Sequence, residues 1–177
     1  MGDVFWTIFP AVTAVAGYVG GVMKLWLGEI LGEWRLKCNL QKALYSELGG
    51  NVNQVFTAYS LLGPTPSEFD AEEYLKAHIS FECFREAQRH SLVFHRLPEA
   101  NAISEAYNCM AALQSKITHC GSRNEMRIIM KDTFGSVCYH LNTGKLNRKQ
   151  LFKHLSLDTE IFLKQFSAAT FPALVND

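Results

Sequence analysis

"VFWTIFPAVTAVAGYVGGVM", residues 4–23, contains no charged side chain and decides which fold we expect. A helix needs about 20 apolar residues to cross the hydrocarbon core of a bilayer at a rise of 1.5 Å per residue. Trp6 and Trp26 bracket the run, about 30 Å apart in a helix, and tryptophan favours both membrane interfaces. We therefore expect a single transmembrane helix over residues 1–27, followed by a helical body over residues 28–177.

Two other interpretations of the opening run stay open. One is a buried core helix, although such helices are seldom apolar on all sides over this length. The other is a cleaved signal peptide, because the segment 14–16, AVA, resembles a cleavage site. The preceding segment 1–3, MGD, nevertheless lacks the positive charge that begins such peptides.

The charges near the run predict its orientation. Lys24, Arg35, Lys37 and Lys42 follow it, whereas only the terminal amine and Asp3 precede it. The positive-inside rule then places the N-terminus outside a cell inner membrane and the C-terminal body in the cytosol. The five cysteines agree with a reducing compartment, since their number is odd and no two form a C-x-x-C pair.

Small residues recur on one stripe of the opening helix. We call this set the glycine stripe, and it consists of Ala14, Gly17, Gly21, Gly28 and Gly32. Two of its pairs fit G-x-x-x-G, a spacing that lets two helix backbones approach closely. The stripe predicts a homo-oligomer, although glycine is also simply frequent in membrane helices.

The rest of the chain predicts an all-α fold, in which the opening helix continues into an antiparallel bundle of four to five helices. Gly49 and Gly50 mark a point at which the first helix could kink or break, and "GPTPS" ends it. Ser122 and Glu125 form a capping box. The later helices are expected at about 67–96, 98–120, 122–142 and 145–169, the last interrupted at 156–158.

Residues 121–155 carry an uneven charge. They contain seven Lys or Arg and two acidic residues, a net charge of +5, in a chain whose total charge is zero. The segment predicts a site for an anionic ligand or an acidic protein partner, with a solvated surface as the plain alternative. The candidate residues are Arg148, Lys149 and Lys153, followed by Lys145 and Arg127. Nucleic acid is not favoured, because few aromatic side chains lie nearby.

No catalytic, metal or cofactor site is predicted. His78, Glu82, Glu86 and His90 recur every fourth residue, as in metal-binding helices. They share their side with arginines, however, and the chain lacks the second Glu-x-x-His of di-metal bundles, so we interpret them as surface residues. No phosphate-binding, dinucleotide-binding or nucleophile motif is present.

These patterns together favour a non-enzymatic protein. We expect a single-pass, membrane-anchored helical bundle that self-associates and binds a partner or ligand through its cytosolic part. Two alternatives remain. One is a membrane-disrupting sensor-effector triggered by an anionic, nucleotide-type messenger, as in antiviral defence. The other is a metal- or thiol-dependent helical-bundle enzyme.

Overall fold

The computed structural model describes the backbone of residues 2–63 and 69–172, and the side chains of residues 17–63 and 69–172. Every regular element in these residues is a helix, which confirms the all-α prediction. The described residues form eight helices: α1 (Gly2–Leu61), α2 (Ala71–His78), α3 (Glu82–Arg89), α4 (Ser91–His95), α5 (Ala100–Ile117), α6 (Arg123–Asn142), α7 (Arg148–Phe152) and α8 (Leu157–Thr170). The chain divides into two compact units, Met1–Asn39 and Leu40–Asp177.

The transmembrane prediction falls mainly outside the side chains that the structure describes. Residues 4–16 of the predicted span 4–23 belong to the undescribed side chains, and so does Ala14 of the glycine stripe. Where the side chains are described, no helix has the length and apolar character needed to cross a membrane.

The predicted helix over residues 67–96 is three short helices, α2, α3 and α4. Asp70 caps α2 with its carboxylate, and Ser67 lies outside the described residues. Asn51 of α1 fixes the first break, because its amide donates to the Ser80 carbonyl at 2.7 Å and accepts from the Ser80 N–H at 2.9 Å. Because the Asn51 side chain bonds to both the N–H and the carbonyl of Ser80, these backbone groups need no hydrogen bond within a helix, and the helix can end here.

Two predicted boundaries, at Ser122 and at Ser156, agree with the structure. Ser122 accepts a hydrogen bond from the Glu125 N–H at 3.3 Å and begins α6. Ser156 interrupts the last helical region and caps α8 by accepting from the Thr159 N–H. Gly49 and Gly50, where we expected that the first helix could kink or break, do not interrupt α1.

Side-chain pairs show the directions of the packed helices. Cys109 contacts Ser136 and Glu105 contacts His140, so residue numbers rise on α5 as they fall on α6, and the two helices are antiparallel. Cys138 contacts Leu163 and Asn142 contacts Ser167, so α6 and α8 run in the same direction. The predicted antiparallel arrangement therefore fails for α8, because α7 carries the chain back between them.

The carboxylate of Glu47 joins α1 to α3 and α5. It accepts hydrogen bonds from the backbone N–H groups of Cys83 at 2.8 Å and Phe84 at 3.2 Å, which begin α3. It also accepts from the hydroxyls of Ser80 and Tyr107, both at 2.8 Å. Burial alone would raise the pKa of Glu47, but these four hydrogen bonds lower it below its ordinary value.

Candidate functional site

A cavity of about 100 Å³ lies among α6, α7 and α8. Its apolar wall consists of Cys138, Leu141, Phe152 and Leu163. Its polar side consists of Asn142, Arg148, Lys164 and Ser167. We call this space the Arg148 cavity. Two cations beside an apolar wall suit a ligand that has a negative end and an apolar body.

Hydrogen bonds hold the guanidinium of Arg148 at the cavity. Its Nη2 donates to Oδ1 of Asn142 at 3.1 Å, and Nδ2 of Asn142 donates to Oγ of Ser167 at 2.6 Å. Among the described residues, no carboxylate lies within ion-pair distance of Arg148. The remaining guanidinium donors and the Ser167 hydroxyl hydrogen can therefore bind an anion.

Lys164 supplies a second positive charge from α8. Its Nζ forms an ion pair with Glu160 at 2.6 Å and lies 5.6 Å from the centre of the Phe152 ring. Sequence patterns did not identify Lys164, because it lies outside the basic segment 121–155. Only the side-by-side packing of α6 and α8 brings it to Arg148.

Cys138 closes the apolar side of the cavity. Its Sγ lies 3.7 Å from the Leu163 carbonyl. Burial raises the pKa of this thiol to about 12, although the nearby Arg148 acts in the opposite direction. Cys138 is therefore a neutral thiol at pH 7, which gives it the role of an apolar wall rather than that of a nucleophile.

The structure separates the other predicted anion-binding residues from the cavity. The guanidinium carbon of Arg127 lies 4.7 Å above the ring of Tyr59, and Nζ of Lys145 lies 5.4 Å from the ring centre of Tyr139. The remaining two, Lys149 and Lys153, are exposed and do not line the cavity. Of the five predicted side chains, only Arg148 lines it.

A second polar pair, outside this cavity, ties α5 to α6. Nε2 of the buried His140 lies 2.8 Å from Oε2 of the exposed Glu105. Burial lowers the pKa of His140, with Glu105 opposing the shift and Lys145 adding to it. A neutral imidazole at pH 7 then donates through Nε2, and Nδ1 is left without a hydrogen-bond partner among the described residues.

The regularly spaced His and Glu residues lie on an exposed surface. Glu86 pairs with Arg89 at 2.9 Å and with His90 at 3.3 Å. Nδ1 of His78 lies 2.8 Å from the Tyr74 carbonyl. In the part of the chain that the structure describes, no three His, Cys, Asp or Glu side chains are placed to hold a metal ion.

Comparisons with protein-family models, with curated proteins and with solved structures find no match to this chain. The case for a function therefore depends on the residues themselves. Arg148 is a predicted site residue that lines a cavity together with other polar side chains.

Proposed function

We propose that this protein is a single-pass, membrane-anchored helical bundle that self-associates and binds a small anionic ligand in the Arg148 cavity. Residues 1–27 form the anchor, with the N-terminus outside the inner membrane. Residues 28–177 form the cytosolic part. The observation that carries the binding proposal is the hydrogen-bonded guanidinium beside an apolar wall.

The anchor is supported by the uncharged run over residues 4–23 and by the spacing of Trp6 and Trp26. Its self-association is supported by the glycine stripe. Among the residues that the structure describes, an added Cβ at Gly17, Gly21, Gly28 or Gly32 would meet no atom within 4 Å. These four positions therefore leave room for the close approach of another copy.

The dimensions of the cavity define the ligand class. At about 100 Å³ it is smaller than the roughly 300–1,000 Å³ of sites that enclose drug-sized ligands. A phosphate, or a carboxylate with a short apolar tail, fits that space. The alternative nucleotide-type messenger could insert its phosphate but not its base and sugar. A small organic anion is therefore our preferred ligand.

Replacing Arg148 by glutamine should weaken the stabilisation of the full chain by small anions, so that the same rise in Tm requires about ten times more anion. The probes are hexanoate and inorganic phosphate, and the measurement is the Tm of the detergent-solubilised protein at constant ionic strength. A charge-assisted hydrogen bond is worth about 1.5–3 kcal/mol, so we expect Arg148→Gln to weaken binding by about tenfold or more. A ligand that binds only the folded protein stabilises it by RT ln(1 + L/Kd), where L is the free ligand concentration, so a larger Kd moves the rise in Tm to higher ligand concentration.

Lys149→Gln is the matched control, because it removes the same charge at the next residue but not from the cavity. Lys149→Gln should leave the rise in Tm with hexanoate and with phosphate unchanged. If Arg148→Gln and Lys149→Gln reduce the anion-induced rise in Tm equally, the effect is general charge attraction, which would contradict a specific site at Arg148. Stabilisation by hexanoate alone would assign an organic carboxylate, whereas stabilisation by phosphate alone would assign a phosphoryl group.

The anchor has its own test. Membranes from cells expressing the full chain are extracted with alkaline carbonate, and spheroplasts are treated with protease to probe a C-terminal tag. We expect the chain to remain in the pellet and the tag to be protected, because a spanning helix resists extraction and the body is cytosolic. Release of the full-length chain into the supernatant would contradict the anchor.

A further inference from the structure

The part of α1 between residues 23 and 35 carries a wide apolar face. At 100° per residue, six of its seven large apolar side chains fall within an arc of about 140°, and the seventh, Leu25, lies on the opposite side of the helix. The six are Met23, Trp26, Leu27, Ile30, Leu31 and Trp34. Each is between 45% and 61% exposed. An exposed apolar face of this extent is typical of an interaction surface. We call it the tryptophan face.

Opposite charges flank the tryptophan face. Glu29 and Glu33 follow one edge of the arc, and Lys24 and Arg35 follow the other edge. The two flanks lie at similar heights along the axis. Glu33 and Arg35 are two residues apart, about 3 Å, and Glu29 and Lys24 are five apart, about 7.5 Å, which a lysine side chain can reach.

This charge pattern fits another copy of the same helix in parallel. When two parallel helices face each other, the acidic flank of one meets the basic flank of the other. In an antiparallel pair, acidic flanks would meet each other and basic flanks would do the same. Charged positions beside an apolar seam set helix orientation in this manner. Anchors inserted in one direction in one membrane would impose the same parallel arrangement.

We propose that the tryptophan face packs against the same face of other copies, forming a parallel bundle of three or more helices. An apolar stripe that serves a two-stranded coiled coil is narrow, whereas an arc of more than about 100° is typical of a helix that faces a bundle core. In such a bundle each acidic flank contacts the basic flank of the next copy. This inference extends the self-association in the proposed function and assigns it a second surface.

The tryptophan face and the glycine stripe lie on opposite sides of α1. Gly28 and Gly32 fall near the middle of the side that the apolar arc leaves uncovered. The bundle therefore leaves them outside its core. A Cβ at either position would meet no atom within 4 Å, so the chain itself tolerates alanine there. The two surfaces can consequently be tested by separate substitutions.

The test measures the copy number of the full chain in detergent by light scattering. One variant makes both flanks basic (E29K/E33K), and another makes both flanks acidic (K24E/R35E). We expect the wild type to contain three or more copies and each variant to lose that assembly. A mixture of the two variants should assemble again, since each acidic flank then meets a basic one. E73K/E82K, which reverses two exposed charges on α2 and α3, outside both proposed surfaces of α1, is the control and should assemble as the wild type does.

Other outcomes would overturn the proposal. They are a wild type no larger than a dimer, flank variants that assemble alone, and variants that fail to assemble when mixed. Gly21→Leu separates this inference from the proposed function, because it blocks the glycine stripe inside the anchor. If Gly21→Leu loses assembly while both flank variants still assemble alone, the chain self-associates through the glycine stripe. The proposed role of the tryptophan face is then wrong.

Discussion

Replacing Glu47 by glutamine should lower the free energy of unfolding of the bundle by about 3 kcal/mol. The carboxylate accepts four hydrogen bonds, two from the start of α3 and one each from Ser80 and Tyr107. Glutamine keeps one acceptor oxygen, but its N–H₂ group would face N–H or O–H donors that now bond to the second carboxylate oxygen. Hydrogen bonds to a charged group are worth about 1.5–3 kcal/mol, and a partly buried donor left without an acceptor costs about 1–3 kcal/mol.

The effect of Glu47 should depend on pH in a defined direction. Its pKa in the folded protein is below the ordinary value of 4.5. The ionised carboxylate therefore contributes its full stability above pH 4.5, and that contribution is lost as the pH falls through the lowered folded value. Urea unfolding of the full chain in detergent, followed by circular dichroism, should show the wild type and the variant converging below pH 4.5.

Glu82→Gln is the control for this substitution. Glu82 is also in the first turn of α3, but it is exposed and its carboxylate does not accept the Cys83 and Phe84 amides. Its replacement should cost only a few tenths of a kcal/mol through the helix dipole. A difference between Glu47→Gln and wild type that is no larger than this control would contradict the proposed role of Glu47.

Local signals in the sequence predict helix boundaries well and long-range contacts poorly. The Ser122 and Ser156 caps were predictable because the side chain and the backbone amide that it binds are three residues apart. The break after α2 was not, because its cause is Asn51, 29 residues earlier in the chain. Nothing in the sequence near Ser80 indicates that the side-chain amide of Asn51 takes the place of the backbone hydrogen bonds that Ser80 would make in a continuous helix.

The same limit applies to the candidate site. The charge of segment 121–155 predicts Arg148 together with four other basic residues, but it does not show which of the five lines a cavity. Arg127 and Lys145 instead lie over aromatic rings from Tyr59 and Tyr139. Lys164 enters the site only because α8 runs beside α6 in the same direction, whereas short connections predict antiparallel neighbours.

The two adjacent glycines of α1 should respond to alanine in opposite directions. A Cβ on Gly49 would lie 2.6 Å from Cβ of His154 and 3.3 Å from its backbone carbonyl carbon and oxygen. A Cβ on Gly50 would meet no atom within 4 Å. Alanine favours a helix over glycine by up to about 1 kcal/mol, so Gly50→Ala should stabilise the protein by that amount.

Gly49→Ala should instead destabilise the protein by about 2 kcal/mol, because overpacking typically costs 1–3 kcal/mol and here involves backbone. The neighbouring contacts resist a shift, since Asn53 donates to the His154 carbonyl at 2.9 Å and accepts from the Ser156 N–H at 2.9 Å. Moving the turn away from α1 would stretch both hydrogen bonds and disturb the residue that caps α8. Urea unfolding of the full chain measures the difference between the two alanine variants, expected at about 3 kcal/mol.

A double-mutant cycle assigns that cost to the contact with His154. His154→Gly removes the Cβ that an alanine at position 49 would strike. In this background Gly49→Ala should no longer destabilise the protein and should gain helix propensity, as Gly50→Ala does. A penalty for Gly49→Ala that persists after His154→Gly would show that the close approach of the turn to α1 is not its cause. Equal effects of alanine at positions 49 and 50 in the wild-type background would lead to the same conclusion.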